Sequence, residues 1–413
     1  MDKKKKIVFI INYFYPDLAS TGQLMTELCL DLQEDFDITV IAAQPGYAGE
    51  RVKVTKIFDE EFWENIKVIR IKLPEVNKIS KFSRIRYIFS YFILANIALL
   101  KEKKQDIIYT ISQPPVLGGL IGSIGKFLKR SKHVYNIQDF NPEQAAAVAY
   151  TDKQFIFNIS KYVDKLNCRY ADHIVVVGQD MVETLKKRFN NKKVPNYSVI
   201  NNWTNENEIV PLDKSNDYIA SFLKMHGLEN NFIIMYSGNI GLYYDLENII
   251  QVAKNFKENP EIVFLFIGDG AIKKQMQEYV KENNLLNVLF LPYQPKDFIK
   301  YSLNAADIHL VVNQKGIKGV SVPSKIYGVM AAGKPILGVL ERESEAQLLI
   351  EKSNCGLVVE PKDYKGITEA IKTFYQLYSE ERKELGLNGR TYLVEHLKRE
   401  TSINKYRELL KQL

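Results

Sequence analysis

Residues 319–336, Gly319-Val-Ser-Val-Pro-Ser-Lys-Ile-Tyr-Gly-Val-Met-Ala-Ala-Gly-Lys-Pro-Ile336, read as a turn that brings a helix N-terminus and a lysine to one anionic point. Pro323 suits the opening of a helix, where its missing N–H costs nothing, and Ser321 or Ser324 is placed to cap the first turn. Four N–H donors and the positive end of the helix dipole then face whatever docks there, and Lys325 adds a full charge. Gly333 and Pro335 end the helix and release the chain into an apolar strand, Ile336 to Leu340. A Ser-Lys pair at a helix start is a surface cap more often than a ligand site, so the surrounding pattern has to decide.

That pattern is regular. Apolar runs of four to six residues alternate with amphipathic segments of roughly ten to eighteen, the rhythm of parallel βαβ units and hence of an α/β fold. In the first half the expected strands are Ile7–Asn12, Ile38–Ala42, Ile66–Ile71, Ile107–Ile111, His133–Ile137, His173–Val177 and Tyr197–Ile200. Helices are expected at Thr21–Glu34, Arg84–Glu102, Phe155–Ala171 and Gln179–Phe189. The polar run Asn201-Asn-Trp-Thr-Asn-Glu-Asn reads as a linker, after which strands resume at Phe232–Ser237, Ile262–Gly268, Val288–Leu291, Ile308–Val312, Pro335–Val339 and Gly356–Val359. A length of 413 residues exceeds one compact core. The expectation is two doubly wound Rossmann-like domains, 1–203 and 204–395, with ligand in the cleft where strand C-termini face each other.

Glycines gather where that architecture needs them. Ser237-Gly-Asn-Ile-Gly follows one strand and contributes Gly238, Asn239 and Gly241; Gly268-Asp269-Gly follows another; Asn313-Gln-Lys-Gly and Glu341-Arg-Glu-Ser-Glu follow two more. Glycine after a strand lets backbone approach a ligand, and exposed N–H groups there suit phosphate oxygens.

Composition excludes several classes. Apolar residues at 46% and charged residues at 25% are ordinary globular values. Cys29, Cys168 and Cys355 lie too far apart for a metal knuckle and argue against a disulfide framework, which suits a reduced cytoplasmic setting. The only Asp-x-Asp, Asp35-Phe-Asp37, precedes a strand rather than following one, and the five histidines show no metal or triad spacing. His309, within an apolar strand, reads as a core imidazole. No essential metal, cofactor or nucleic-acid partner is expected. The net charge of +7 is unevenly spread, with basic residues at Lys3–Lys6 and again between Lys78 and Lys104. Lys78, Lys81, Arg84 and Arg86 precede a helical apolar stripe, a pattern that suits an anionic membrane surface as well as a helix packed on a sheet. Tyr87–Leu100 falls short of the ~20 residues that span a bilayer, so a peripheral position is expected.

The chain resembles the retaining glycosyltransferases of GT-B fold in glycosyltransferase family 4, especially bacterial enzymes of cell-surface polysaccharides such as those moving N-acetylfucosamine. The landmarks are Tyr15-Pro-Asp-Leu-Ala-Ser-Thr-Gly, Ser112-Gln-Pro-Pro, Tyr135-Asn-Ile-Gln-Asp-Phe-Asn-Pro-Glu, Val177-Gly-Gln-Asp-Met and Ile200-Asn-Asn-Trp. In the second half they are Ser237-Gly-Asn-Ile-Gly, Phe266-Ile-Gly-Asp-Gly-Ala, Leu291-Pro-Tyr-Gln-Pro, Ala306-Asp-Ile-His-Leu-Val and the Ser321–Pro335 segment. The resemblance implies a nucleotide-diphosphate sugar, most simply a UDP-sugar, on the C-terminal domain. It implies a polyprenyl-diphosphate-linked saccharide acceptor for capsule, O-antigen or exopolysaccharide synthesis on the N-terminal one. Tyr293 and Gln294 then match the base-holding segment, Gly238 and Gly241 the diphosphate loop, and Val320, Ser321, Val322, Pro323, Ser324 and Lys325 the loop around sugar and phosphate. Ser20, Thr21 and Gly22 match a glycine-rich loop near the acceptor, and Asp139 a polar residue near the reacting sugar. Residues 396–413 match a helix that crosses back to the N-terminal domain.

There are departures. Where many members carry two glutamates, the second holding the ribose, this chain has Val320 and Gly328; where they carry Arg and Lys after the diphosphate loop, it has Asn239 and Tyr244. Lys325, then Lys318, is the replacement for the lost charge on a departing diphosphate, and Glu345 stands as ribose ligand or as an ordinary helix-start carboxylate. Asp139 orients the acceptor hydroxyl or caps the helix after Pro142. Two other classes stay open: a nucleotide-sugar epimerase, which needs acid–base groups not found here, and a non-catalytic nucleotide-sugar-binding protein.

Overall fold

The computed structural model describes residues 4–17, 19–46, 54–75, 81–147 and 154–413. Its contacts divide the chain into two units, Met1–Asn201 with Glu400–Leu413, and Asn202–Arg399.

The strands of the first unit are β1 (Lys6–Ile11), β2 (Asp37–Ala43), β3 (Phe58–Trp63), β4 (Ile66–Ile71), β5 (Ile107–Ile111), β6 (Lys132–Ile137), β7 (His173–Val176) and β8 (Tyr197–Val199). Between them run α1 (Ser20–Leu32), α2 (Lys81–Lys101), α3 (Leu117–Lys129), α4 (Glu143–Ala147), α5 (Gln154–Tyr170) and α6 (Gln179–Arg188). The sheet order is β3-β4-β2-β1-β5-β6-β7-β8. Central strands such as Lys-Ile-Val-Phe-Ile-Ile in β1 are buried along almost their whole length, as helices on both faces require.

One strand escaped the sequence reading. β3 is Phe-Asp-Glu-Glu-Phe-Trp, pairs antiparallel with β4 and makes this sheet mixed rather than wholly parallel. Its acidic residues protect a sheet edge from further pairing, and such composition carries no core signal.

In the second unit the strands are β9 (Phe232–Ser237), β10 (Ile262–Ile267), β11 (Val288–Leu291), β12 (Ile308–Val312), β13 (Ile336–Val339) and β14 (Gly356–Val359), all parallel in the order β11-β10-β9-β12-β13-β14. Helices α7 (Asp217–Met225), α8 (Leu246–Ile249), α9 (Lys273–Glu282), α10 (Ile299–Asn304), α11 (Lys325–Ala331), α12 (Glu345–Ser353), α13 (Tyr364–Gln376) and α14 (Ser379–His396) cover its faces. His309 is buried in β12 with Nε2 2.9 Å from the Leu303 carbonyl oxygen, a satisfied core imidazole whose burial brings its pKa down to about 4.

The last helix, α15 (Arg399–Gln412), belongs from Glu400 onward to the first unit. Tyr406 is fully buried there, and Arg407 reaches Asp35 at 2.7 Å. Asp35, half of the Asp-x-Asp pair, is therefore engaged by cations, and Lys411 holds it as well. All three cysteines are free and buried.

Candidate functional site

In the second unit the connections run outward from β9 to β10 and β11, then return to place β12 on the other side of β9. The crevice beyond the C-termini of β9 and β12 is the switch point at which an open α/β sheet accepts a ligand. The chain leaves β9 through Gly238 and β10 through Gly268, with φ of 144° and 146°, which only glycine adopts without strain. A Cβ on Gly268 would stand 1.9 Å from the Gly238 carbonyl oxygen, so the two loops lie backbone against backbone. Ile240 N–H donates to the Asp269 carbonyl at 2.9 Å, Tyr293 Oη donates to the same carbonyl at 3.3 Å, and Lys273 Nζ donates to the Gly268 carbonyl at 2.7 Å. Gly238, Asn239, Gly241, Gly268, Asp269 and Tyr293 thus form one connected rim. Gln294 follows Tyr293, its amide donating to the Pro292 carbonyl at 3.0 Å.

Lys325 projects into this rim. Its Nζ donates to Tyr236 Oη at 3.1 Å and lies 4.5 Å from the ring centroid of Tyr236 and 4.1 Å from that of Tyr244. Tyr236 in turn donates its hydroxyl to the Asn239 carbonyl at 2.7 Å, leaving an oxygen lone pair for the ammonium. Among the described residues no carboxylate pairs with Lys325. Desolvation lowers its pKa to about 7, while the two ring faces favour the cation. Tyr244 is one of the positions where the resemblance leads one to expect a cation, and the Lys325 ammonium lies over its ring.

The helix start itself contributes less than expected. Ser324 is the N-cap of α11 but its side chain makes no capping bond. The N–H groups of Ile326 and Tyr327 go to the carbonyls of Pro323 and Ser324, and those of Val320 and Ser321 go to Ile317. Val320, Val322 and Pro323 are buried wall, while Ser321 and Ser324 are half-exposed. The charge at this point is therefore carried chiefly by the Lys325 side chain.

Lys318 is not an uncommitted cation: its Nζ pairs with Glu343 at 2.7 Å. Beneath it the Glu341 Oε2 accepts from three successive backbone N–H groups, Gly316, Ile317 and Lys318, at 2.9, 3.0 and 2.9 Å. The loop after β12 is thereby stapled to the end of β13. Glu345 is buried in the first turn of α12, on the same segment. Tyr236, Tyr244 and Glu341 were not singled out as site residues in the sequence. The signals were, for Tyr236, a tyrosine near the end of an aliphatic strand, for Tyr244 the absence of an expected cation, and for Glu341 a glutamate directly after a strand.

On the first unit, Asp139 follows β6, and the N–H groups of Gln138 and Asp139 both donate to Ser112 Oγ, at 3.1 and 3.2 Å, on the loop after β5. Asp139 lies four residues before α4, outside the N-cap position. Ser20, Thr21 and Gly22 are not loop residues: they form the first turn of α1, where Gly22 packs on Tyr13, a Cβ there falling 3.0 Å from Tyr13 Cβ. Among the described residues no cluster of three or more His, Cys, Asp or Glu is arranged to hold a metal ion.

The family model for glycosyl transferases group 1 matches residues 221–392. The chain is 26% identical over 412 residues to the probable glycosyltransferase WbjE of Pseudomonas aeruginosa, covering 99% of this chain and 98% of that one. It is 24% identical to the putative colanic acid biosynthesis glycosyl transferase WcaI of Escherichia coli K12, over 89% and 91% of the two chains. Its fold is that of Anabaena Alr3699/HepE, solved in complex with UDP and glucose, with a TM-score of 0.72, 15% identity and coverage of 99% and 100%.

Proposed function

We propose that this chain, whose residues 221–392 match the glycosyl transferases group 1 model, is a glycosyltransferase that carries out a retaining transfer of a sugar, N-acetylamino in type, from UDP to a polyprenyl-diphosphate-linked saccharide in polysaccharide synthesis. The observation that carries this reading is the Lys325 ammonium, held between Tyr236 and Tyr244 at the β9/β12 switch point with no carboxylate partner among the described residues. A cation of that kind suits a group that gains negative charge as the reaction proceeds. In the proposed step the bond from the sugar's anomeric carbon to the diphosphate oxygen breaks and its electron pair leaves with the UDP. The acceptor hydroxyl oxygen bonds the same face of that carbon, and its proton passes to the departing phosphate.

In this scheme the Gly238–Gly241 loop lies under the diphosphate, Tyr293 and Gln294 border the base, and Glu345 takes the ribose. Asp139 orients the acceptor hydroxyl. Lys325 supplies the charge that a divalent cation provides elsewhere, so the reaction is metal-independent. The names of WbjE and WcaI support polysaccharide synthesis, and HepE with UDP and glucose supports a uridine donor. With a lipid-linked acceptor and a nucleotide-sugar donor, the enzyme would work at the cytoplasmic face of the plasma membrane.

Thermal unfolding with UDP, GDP, ADP and dTDP, each with and without EDTA, tests the donor site, because a ligand that binds only the native state raises the melting temperature. A shift selective for UDP and indifferent to EDTA is expected. No shift with any nucleotide rejects the site built around Lys325, and a shift abolished by EDTA rejects metal independence.

A further inference from the structure

α2 has two apolar faces. Tyr91, Ala95, Ala98 and Leu99 are buried in the first unit's core with Val8, Ile10 and Ile108. On the opposite side Phe82, Ile85, Phe89, Ile93, Ile97 and Leu100 follow one another at steps of three and four, with Phe82 75% and Phe89 54% exposed. This second stripe runs about 27 Å along the helix, and packing on the sheet accounts for none of it. By length and composition Phe82–Lys101 is also apolar enough to cross a bilayer, longer than the sequence reading allowed. Its inner face, however, is part of the sheet's core, so the helix lies along the surface of the unit.

The apolar surface continues onto the neighbouring helices. α3 packs against both α2 and α5 and comes close to each because its inner side is glycine. A Cβ on Gly125 would stand 2.5 Å from Leu99 of α2, and one on Gly119 would stand 3.0 Å from Asn167 of α5. On the outside of α3, Phe127 and Leu128 are exposed, and the Phe127 ring meets Tyr170 of α5 edge-on at 5.4 Å. Lys129 Nζ closes the other side, donating to the Leu100 carbonyl at 2.8 Å. α5 then adds exposed Phe155, Ile156, Ile159 and Tyr162.

The charge on these helices has one sign. Every charged residue of α2 and α3 is Lys or Arg. α5 carries Lys161, Lys165 and Arg169 against a single acid, Asp164, which is buried against Arg188. The described part of the basic 78–104 region begins at residue 81; Lys78, and the Lys81 side chain, lie outside the described residues.

We propose that α2, α3 and α5 together form a docking face that lies flat on an anionic bilayer, the exposed aromatic and aliphatic side chains entering the acyl boundary and the basic residues meeting acidic headgroups. This rests on the lipid-linked acceptor reading and deepens it, because the contact is a three-helix surface rather than the 78–104 segment alone. A second copy of this chain is disfavoured as occupant, since two like-charged faces repel.

The test is sedimentation of the full chain with phosphatidylcholine vesicles, with and without phosphatidylglycerol. Binding that requires phosphatidylglycerol and weakens with salt is expected. F127S/L128S on α3 and F155S/I159S on α5, which leave α2 itself unaltered, are expected to lower vesicle affinity roughly tenfold or more with an unchanged melting temperature. Should an apolar pair fail to fold, K161E/R169E carries the same expectation on exposed charges. Wild-type affinity in folded α3 and α5 variants overturns the three-helix face. So does an absence of vesicle binding in a protein that still shows its UDP shift, or lipid-free self-association that these variants abolish. Vesicle binding without any nucleotide shift upholds the docking face and rejects the donor site instead.

Discussion

An ammonium that rests on two tyrosine rings, donates to one phenol and meets no carboxylate among the described residues is costly to keep charged, and the cost falls on Lys325. Its pKa in the folded chain is about 7 against an ordinary 10.5, because burial disfavours the cation. Between those two values the unfolded chain binds the extra proton, so stability rises with pH across that window, and below about 7 the full penalty is present. Lys325→Met should flatten that rise, which urea unfolding on either side of the window measures; an unchanged pH slope would show that another group carries it. A diphosphate should restore the charge, so UDP binding above about pH 7 should take up a proton. Calorimetry in buffers of different ionisation enthalpy detects that uptake, and an absence of uptake counts against contact between Lys325 and the diphosphate. Lys325→Ala should lower kcat by about a hundredfold or more, with a smaller loss in donor affinity; equal losses would assign Lys325 to ground-state binding. The lysine was legible in the sequence because Ser-Lys at a helix start is a local pattern. Tyr236 was not, because a tyrosine near the end of an aliphatic strand looks like core until its distance to a cation is known, and Tyr244 stood out only as a position lacking an expected cation, not as a ring beneath one.

At the scale of elements the site depends on loops that touch through their backbones. Gly268 combines a φ of 146° with a Gly238 carbonyl oxygen 1.9 Å from where a Cβ would stand. Gly268→Ala should therefore cost roughly 2–4 kcal/mol and remove the UDP-induced melting shift, and a variant that melts and binds like the parent would show that the loops have room to part. The loop after β12 is held differently, by the Glu341 carboxylate accepting three backbone N–H bonds. Glu341→Ala should cost about 1–2 kcal/mol, allowing for its partial exposure, and speed amide exchange at 316–318; exchange rates unchanged there would mean the loop holds itself. Most elements were legible to within a few residues because a buried parallel strand is a short apolar run and nothing else fits between two helices. β3 was not, since an acidic edge strand is defined by its partner rather than by its own composition. The first turn of α11 differs from its sequence pattern for a related reason: whether its N–H groups remain available depends on the Pro323 and Ser324 carbonyls, which accept from Ile326 and Tyr327.

The largest scale is set by connectivity. The α/β class followed from alternation alone, and the described structure has two such sheets, one of them with an antiparallel edge. The chain does not finish in the unit where it spends its second half, because from Glu400 it contributes to the first. What holds it there is a buried polar knot. Asn136 Nδ2, at the end of β6, donates to Tyr109 Oη at 2.5 Å and to Tyr406 Oη at 2.9 Å, while its Oδ1 accepts from Gln138 at 3.0 Å. A phenol 270 positions away in sequence from its partner completes the hydrogen bonding of an amide in the sheet's interior. The last helix is thus structural to the first unit, with Ile403, Leu409 and Leu410 buried beside Tyr406. Tyr406→Phe keeps the ring and removes the acceptor, leaving a buried amide hydrogen unpaired, so it should cost about 1–2 kcal/mol. Because the loops proposed to hold the donor belong to the other unit, nucleotide affinity should be unchanged in that variant. Urea unfolding with UDP titration separates the two quantities: full stability would mean water replaces the phenol, and lost UDP affinity would mean the knot governs the donor loops as well as the sheet it ties.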